Sequence, residues 1–216
     1  LHEIIKRNED SQNGLWEQNA LKLLSVLSKE TDMLVCAEDL GAVPNCVPTV
    51  LNKLNILSLR IERWARNWNA PYSPYYDMKE YPRLSVCTTS CHGTSTLRGL
   101  WNEPDFDKNL YWSHAHMQGQ APDELTPPTV RNILAHVFSS NSLFCILPLQ
   151  DYMALSSTLS EVSPEQERVN IPGTVGGANW SYRTPCTIEE LLNNTSLSSE
   201  IRKLVDVRKR RPMWKI

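Results

Sequence analysis

Apolar positions along the chain alternate between two rhythms. Leu15, Leu21, Leu24 and Leu27 recur at helical spacing in LWEQNALKLLSVLSKE and predict an amphipathic helix. MLVCAEDL (Met33–Leu40) follows as a short apolar run bounded by acids, which predicts a buried strand. PNCVPTVLNKL (Pro44–Leu54) predicts a second helix with Pro44 near its first turn, and ILSLRI (Ile56–Ile61) a second strand. A polar and aromatic loop then carries Trp64, Trp68, Tyr72, Tyr75, Tyr76 and Tyr81. LSVCTTSCH (Leu84–His92) predicts a third strand, and helical spacing returns around Thr96–Trp101 and in PPTVRNILAHVF. SLFCILPLQD (Ser142–Asp151) predicts the fourth strand. A closing helix is expected over Thr187–Val207, with Thr187 as N-cap and Glu190 three residues on completing a capping box.

Helices and strands thus alternate, which argues for parallel βαβ units and an α/β fold. Four strands are half of an eight-stranded (β/α) barrel, a fold of about 250 residues. The strand ends carry Glu38-Asp39, Arg60-Glu62, His92 and Gln150-Asp151. On parallel sheets, polar groups at the C-terminal tips of neighbouring strands build active sites.

Bulk properties narrow the field. The 216 residues suit one domain or part of a larger one, and 41% hydrophobic with 21% charged residues is an ordinary globular balance. A net charge of -2 gives no electrostatic case for nucleic acid or an anionic membrane. The basic run Arg208–Arg211 reads as a solvated tail, and no apolar stretch approaches the roughly 18 residues that span a bilayer. Among six cysteines, Cys36, Cys87 and Cys145 lie in apolar runs, where a free thiol acts as a small hydrophobe. That favours a reducing, cytoplasmic compartment. Cys87, Cys91 and His92 lack a second ligand pair at matching spacing, so no metal is expected there. His114 and His116 in SHAH resemble half a metal site but have no acidic neighbour in sequence, and read as a solvated helix face.

Five stretches, in order, carry a resemblance: CAEDLGAVP (Cys36–Pro44), LRIERW (Leu59–Trp64), YPRLSVCTTSCHGTSTLRGLW (Tyr81–Trp101), LPLQD (Leu147–Asp151) and ERVNIPGTVGGANWSYR (Glu167–Arg183). Together they resemble the 4-α-glucanotransferases of glycoside hydrolase family 77, the amylomaltases or disproportionating enzymes. The form SVCTTSCH is most like the branch that includes the plant cytosolic disproportionating enzyme. The resemblance implies a TIM barrel with extended βα loops and places this chain at strands five to eight. Residues 1–216 would then be the C-terminal part of one catalytic domain whose N-terminal half is missing. The family's nucleophilic aspartate, in an R-x-D-H-like motif after the fourth strand, has no counterpart here. A chain that begins downstream of it accounts for the initial Leu1.

The implied reaction moves α-1,4-linked glucosyl or maltosyl units between glucans, in starch, glycogen or maltose metabolism, without cofactor or metal. Retaining transfer uses two carboxyl groups about 5–5.5 Å apart, one a nucleophile and the other an acid/base. Glu38 matches the acid/base, and partial burial would raise its pKa to keep a proton available near neutral pH. Asp39 reads as an orienting group and Arg60 as a loop anchor. His92 matches a histidine that bonds the sugar at the cleavage point. The family's next residue is an aspartate that stabilises the transition state, whereas this chain has Gly93. Gln150 and Asp151 could bond sugar hydroxyls or cap and orient loops. Asn170 and Trp180 match the loop bordering the donor subsites. Trp64, Trp68 and Tyr72 could stack on acceptor sugars, though packing is the simpler expectation. Asn179-Trp-Ser181 and Asn193-Asn-Thr195 fit the glycosylation pattern incidentally. The expected partner is therefore an α-1,4-glucan or malto-oligosaccharide. Gly93 and the missing nucleophile motivate the alternative, a catalytically impaired glucan-binding pseudoenzyme.

Overall fold

A computed structural model describes residues 2–207. Three strands, β1 (Ser58–Ile61), β2 (Ser85–Thr88) and β3 (Phe144–Cys145), form one parallel sheet in the order β1-β2-β3. The described residues fall into two compact units. The first holds the chain up to Arg60 with Pro82–Val86 and Ser142–Phe144; the second holds Ile61–Tyr81, Cys87–Asn141 and the chain from Cys145 on. The basic run at 208–211 lies outside the described residues.

In the first unit, α1 (His2–Glu30) packs against α2 (Val47–Lys53). Their contact is polar at its edges: Asn13 Oδ1 accepts from the Cys46 amide at 3.3 Å, and Lys53 pairs with Glu17 at 2.5 Å. Helix α2 starts at Val47, and Pro48 rather than Pro44 occupies its first turn, where a missing N–H costs nothing. Val50 and Leu51 are buried there with Ile56 and Leu57. The apolar stripe expected along α1 is only partly used, since Leu15 and Leu27 are exposed.

The strand expected at Met33–Leu40 is reduced to one parallel bridge, Cys36 with Leu57. The Leu57 amide donates to Val35 O at 2.9 Å, and the Ala37 amide to Leu57 O at 2.7 Å. Met33 is 77% exposed, and Leu34 and Cys36 are exposed as well. A parallel strand is buried where both faces of its sheet are covered. Among the described residues, this segment pairs its backbone with Leu57 only.

The fourth expected strand, Ser142–Asp151, contracts to Phe144–Cys145 because Pro148 lacks an N–H and turns the chain into α6 (Leu149–Met153). Gln150 and Asp151 therefore sit in the first turn of a helix, not at a strand tip.

The second unit carries the main core. In α5 (Pro127–Phe138), Val130, Ile133, Leu134 and Val137 repeat at three and four residues and are all fully buried. They cluster with Trp101 of α3 (Leu97–Trp101) and Tyr111 of α4 (Lys108–His114). Nothing in the apolar spacing predicts α4; its signal is Asp107, whose Oδ1 caps the Leu110 amide at 2.9 Å. The closing helix is two helices, α7 (Ile188–Asn193) and α8 (Thr195–Val207). The capping box holds, with Glu190 N to Thr187 Oγ1 at 3.1 Å and Thr187 N to Glu190 Oε2 at 2.7 Å. Asn194 then breaks the run and caps α8 by accepting from the Leu197 amide at 2.9 Å. No described helix is long and apolar enough to cross a membrane.

Candidate active site

The two adjacent acids of the first unit face different surroundings. In an extended chain successive side chains point to opposite sides. Asp39 turns inward: Oδ1 accepts from the Leu59 amide at 2.7 Å, and Oδ2 pairs with Arg60 Nη1 at 3.3 Å. It straps its segment to β1, which is the orienting role expected of it. Glu38 turns outward and is exposed, not partly buried as expected, because the alternation that buries Asp39 leaves its neighbour facing solvent.

In the second unit, the loop from Thr89 to Thr96 joins β2 to α3 and is held by a buried arginine. Arg63 Nε donates to Thr89 O at 3.3 Å, Nη1 to Ser95 Oγ at 2.8 Å, and Nη2 to Ser95 O at 2.7 Å. One guanidinium thus grips both ends of the loop. Asp151 grips the same two ends, accepting from the Thr89 hydroxyl through Oδ2 and from the Leu97 amide at 2.9 Å through Oδ1. Asp151 is 1% exposed, and burial raises its pKa although Thr89, Leu97 and Arg63 oppose the shift. Both its oxygens are engaged by protein donors.

Glu167 supplies the next brace. It accepts from the Thr96 hydroxyl at 2.8 Å and pairs with Arg98, and its backbone carbonyl accepts from Gln150 Nε2 at 3.2 Å. Burial raises the Glu167 carboxyl too, outweighing the Thr96 and Arg98 contacts. Gln150 and Asp151 therefore enter one network with the loop that presents His92.

His92 is exposed at the turn of that loop, its ring 5.1 Å from that of Trp180 and tilted by 36°. Arg168 joins the two segments: Nη2 donates to Gly93 O at 3.3 Å and Nε to Asn170 O at 3.1 Å. Trp180 is exposed and has φ 60°, a conformation that bulky residues adopt only when held there. Its amide donates to Val169 O at 2.7 Å, and the adjacent Asn179 accepts from Ile171 N at 2.9 Å while donating to Thr174 Oγ1 at 2.8 Å. The Asn179 amide is thus part of the loop's own hydrogen bonding.

His92, Asn170 and Trp180 thus come together in the second unit, with Gln150 and Asp151 tied into their supports; Glu38 belongs to the first unit. Sequence reasoning missed Arg63, Thr89, Glu167 and Arg168. For Arg63 the available signal was an arginine just past the apolar run ILSLRI, where burial requires a partner; Thr89, Glu167 and Arg168 carried no such mark. Packing was the simpler expectation for Trp64, Trp68 and Tyr72, but all three are exposed, Tyr72 by 91%. Tyr72 and Ser73 have positive φ, and the Arg66 guanidinium lies 4.9 Å over the Trp68 ring.

The solvated face expected for SHAH holds for His116, which is exposed, and fails for His114. The His114 side chain is 8% exposed, 4.0 Å from Glu62 Oε1 and 3.3 Å from His136 Nε2. The acidic partner comes from a distant part of the chain. Burial lowers the His114 pKa to about 4 and raises that of Glu62 to about 7.

Comparison with known proteins gives a consistent picture. A family model described as 4-alpha-glucanotransferase, glycoside hydrolase family 77, matches residues 1–188. The chain is 34% identical over 195 residues to the 4-alpha-glucanotransferase DPE2 of Oryza sativa subsp. japonica, covering 90% of this chain and 20% of that protein. It is 35% identical over 184 residues to the 4-alpha-glucanotransferase of Chlamydia pneumoniae, covering 85% of this chain and 34% of that protein. An amylomaltase from Streptococcus agalactiae, solved in complex with acarbose, superposes with a TM-score of 0.67 at 17% identity, over 89% of this chain and 35% of that one. That likeness identifies the fold as part of an α/β domain of the TIM-barrel kind. The chain spans between 20% and 34% of the length of these two curated relatives.

Proposed function

Because the chain belongs to the 4-alpha-glucanotransferase family, glycoside hydrolase family 77, we propose that it carries the acid/base side of a retaining glucan-transfer site. The substrate class is α-1,4-linked glucan or malto-oligosaccharide, from which glucosyl or maltosyl units pass to an acceptor glucan. In this reading the chain forms strands five to eight of the barrel within one catalytic domain. The nucleophile comes from polypeptide outside these 216 residues, since no R-x-D-H-like motif occurs among them.

Glu38 protonates the departing glycosidic oxygen and then deprotonates the incoming acceptor hydroxyl. An exposed position leaves its carboxyl open to approach by a sugar. His92 bonds a hydroxyl of the sugar at the cleavage point, Asn170 bonds a neighbouring hydroxyl, and Trp180 covers a C–H face of the ring. Asp151 and Gln150 act chiefly as positioning residues, because their polar atoms engage Thr89, Leu97 and Glu167. The exposed Trp64, Trp68 and Tyr72 offer aromatic faces to acceptor sugars. All six cysteines are free, which supports the reading of a reducing, cytoplasmic compartment.

The observation that carries the proposal is the pairing of His92 with Trp180 at 5.1 Å, with Arg168 tying both flanking loops. An exposed imidazole beside an exposed indole suits a pyranose, which has apolar faces and a polar rim. Gly93 favours a second reading, in which glucan is bound and turnover is impaired. The two are separated by incubating the complete protein with maltotriose. Glucose together with longer chains supports transfer; retained glucan affinity with unchanged maltotriose supports the second reading. Neither binding nor turnover would overturn both.

A further inference from the structure

We propose that Glu62, His114 and His136 form a binding site for one divalent transition-metal ion, with zinc the best match. The donors come from three separate segments: the turn after β1, the last residue of α4, and the buried face of α5. One ligand atom from each lies within 4.8 Å of the others. Zinc binds imidazole nitrogen at about 2.0–2.1 Å, so two tetrahedral nitrogens lie about 3.3 Å apart. The two Nε2 atoms are 3.3 Å apart. Glu62 Oε1 lies 4.0 Å from His114 Nε2, so the carboxylate would have to move in to complete the set.

The two imidazoles can hydrogen-bond each other across this distance, but no protein donor among the described residues accounts for Glu62 Oε1. Glu62 is 1% exposed, and its Oε1 is buried without a hydrogen-bond donor. An unsatisfied buried oxygen is costly, and a charged one more so. A cation among the three atoms removes that cost and neutralises the carboxylate. Supports of the kind that orient metal ligands are present as well. Tyr111 donates its hydroxyl to Glu62 Oε2 at 2.6 Å, and the Tyr75 ring stacks on His114 at 4.7 Å and 20°. His136 also lines a cavity of about 520 Å³, together with His116, Asp77 and Asn132. Imidazole and carboxylate donors together favour zinc over magnesium or calcium, which take all-oxygen shells. The ion would clamp three segments of the second unit and takes no part in glucan transfer.

The complete protein, stripped with a chelator, is titrated with Zn²⁺ and separately with Co²⁺. One equivalent should bind, raise the thermal midpoint, and give a cobalt spectrum without a thiolate charge-transfer band. His136→Gln and His114→Gln should each weaken binding at least about tenfold. Tyr111→Phe, which spares the three ligands, should weaken it less. No binding, a thiolate band that places the ion on cysteines, or affinity unchanged in both histidine variants would overturn the proposal. Should the histidine variants not fold, the cobalt spectrum of the unaltered protein decides alone.

Discussion

The hydroxyl of Thr89 donates to Oδ2 of Asp151, joining the end of β2 to the first turn of α6. Both residues are buried, and the same carboxylate also holds the first amide of α3. The loop that presents His92 is therefore fixed at both ends by one acid. Thr89→Val keeps the volume and removes the donor, leaving a buried carboxylate oxygen unpaired. It should destabilise the protein by about 1–3 kcal/mol, read from urea unfolding. A loss below about 0.3 kcal/mol would show that the bond contributes nothing to the loop's support.

Asp151 and Glu167 give the fold a pH dependence. Burial raises both carboxyl pKa values above the ordinary range. Each group thus binds its proton more tightly in the folded chain than in the unfolded one. Their contribution is fully present below the unfolded value, about 4, and is lost as pH rises through the folded value. Compared with an Asp151→Asn, Glu167→Gln double variant, the unaltered protein should lose relative stability on going upward from about pH 4. Denaturation midpoints measured across that range check the sign; a relative gain would refute the burial argument.

Glu38→Gln removes the ionisable group while leaving the Asp39–Arg60 strap in place. Transfer by the complete protein should fall by about 10²–10⁴-fold. Stability should change by less than about 0.5 kcal/mol, as for an exposed residue. Undiminished transfer would remove Glu38 from the acid/base role.

Gly93→Asp tests whether the missing carboxylate limits turnover. A Cβ built at Gly93 meets only Pro172 Cγ, at 3.4 Å, an ordinary contact. The variant should fold and turn maltotriose over at least about tenfold faster, equivalent to about 1.36 kcal/mol of transition-state stabilisation. A folded variant with no gain would show that the carboxylate is not what limits the site.

Much of the framework could be read along the chain. The apolar run at Ile56–Ile61, the spacing in PPTVRNILAHVF and the Thr187/Glu190 box became β1, α5 and a helix start, because each signal is local. Helix α4 and the break at Asn194 were missed, since their caps rather than their apolar spacing define them. The family match over residues 1–188 accords with the resemblance carried by the five quoted stretches.

What the sequence determined by itself was therefore periodicity, capping and kinship, all properties of neighbours along the chain. Only the tertiary structure decided which polar groups are buried and with whom. It set Asp151 against Thr89 across 62 positions, Glu167 against Thr96 across 71, and Glu62 against Tyr111 across 49. A buried charge is tolerable only with a partner, and in this chain those partners come from remote segments that no local pattern connects.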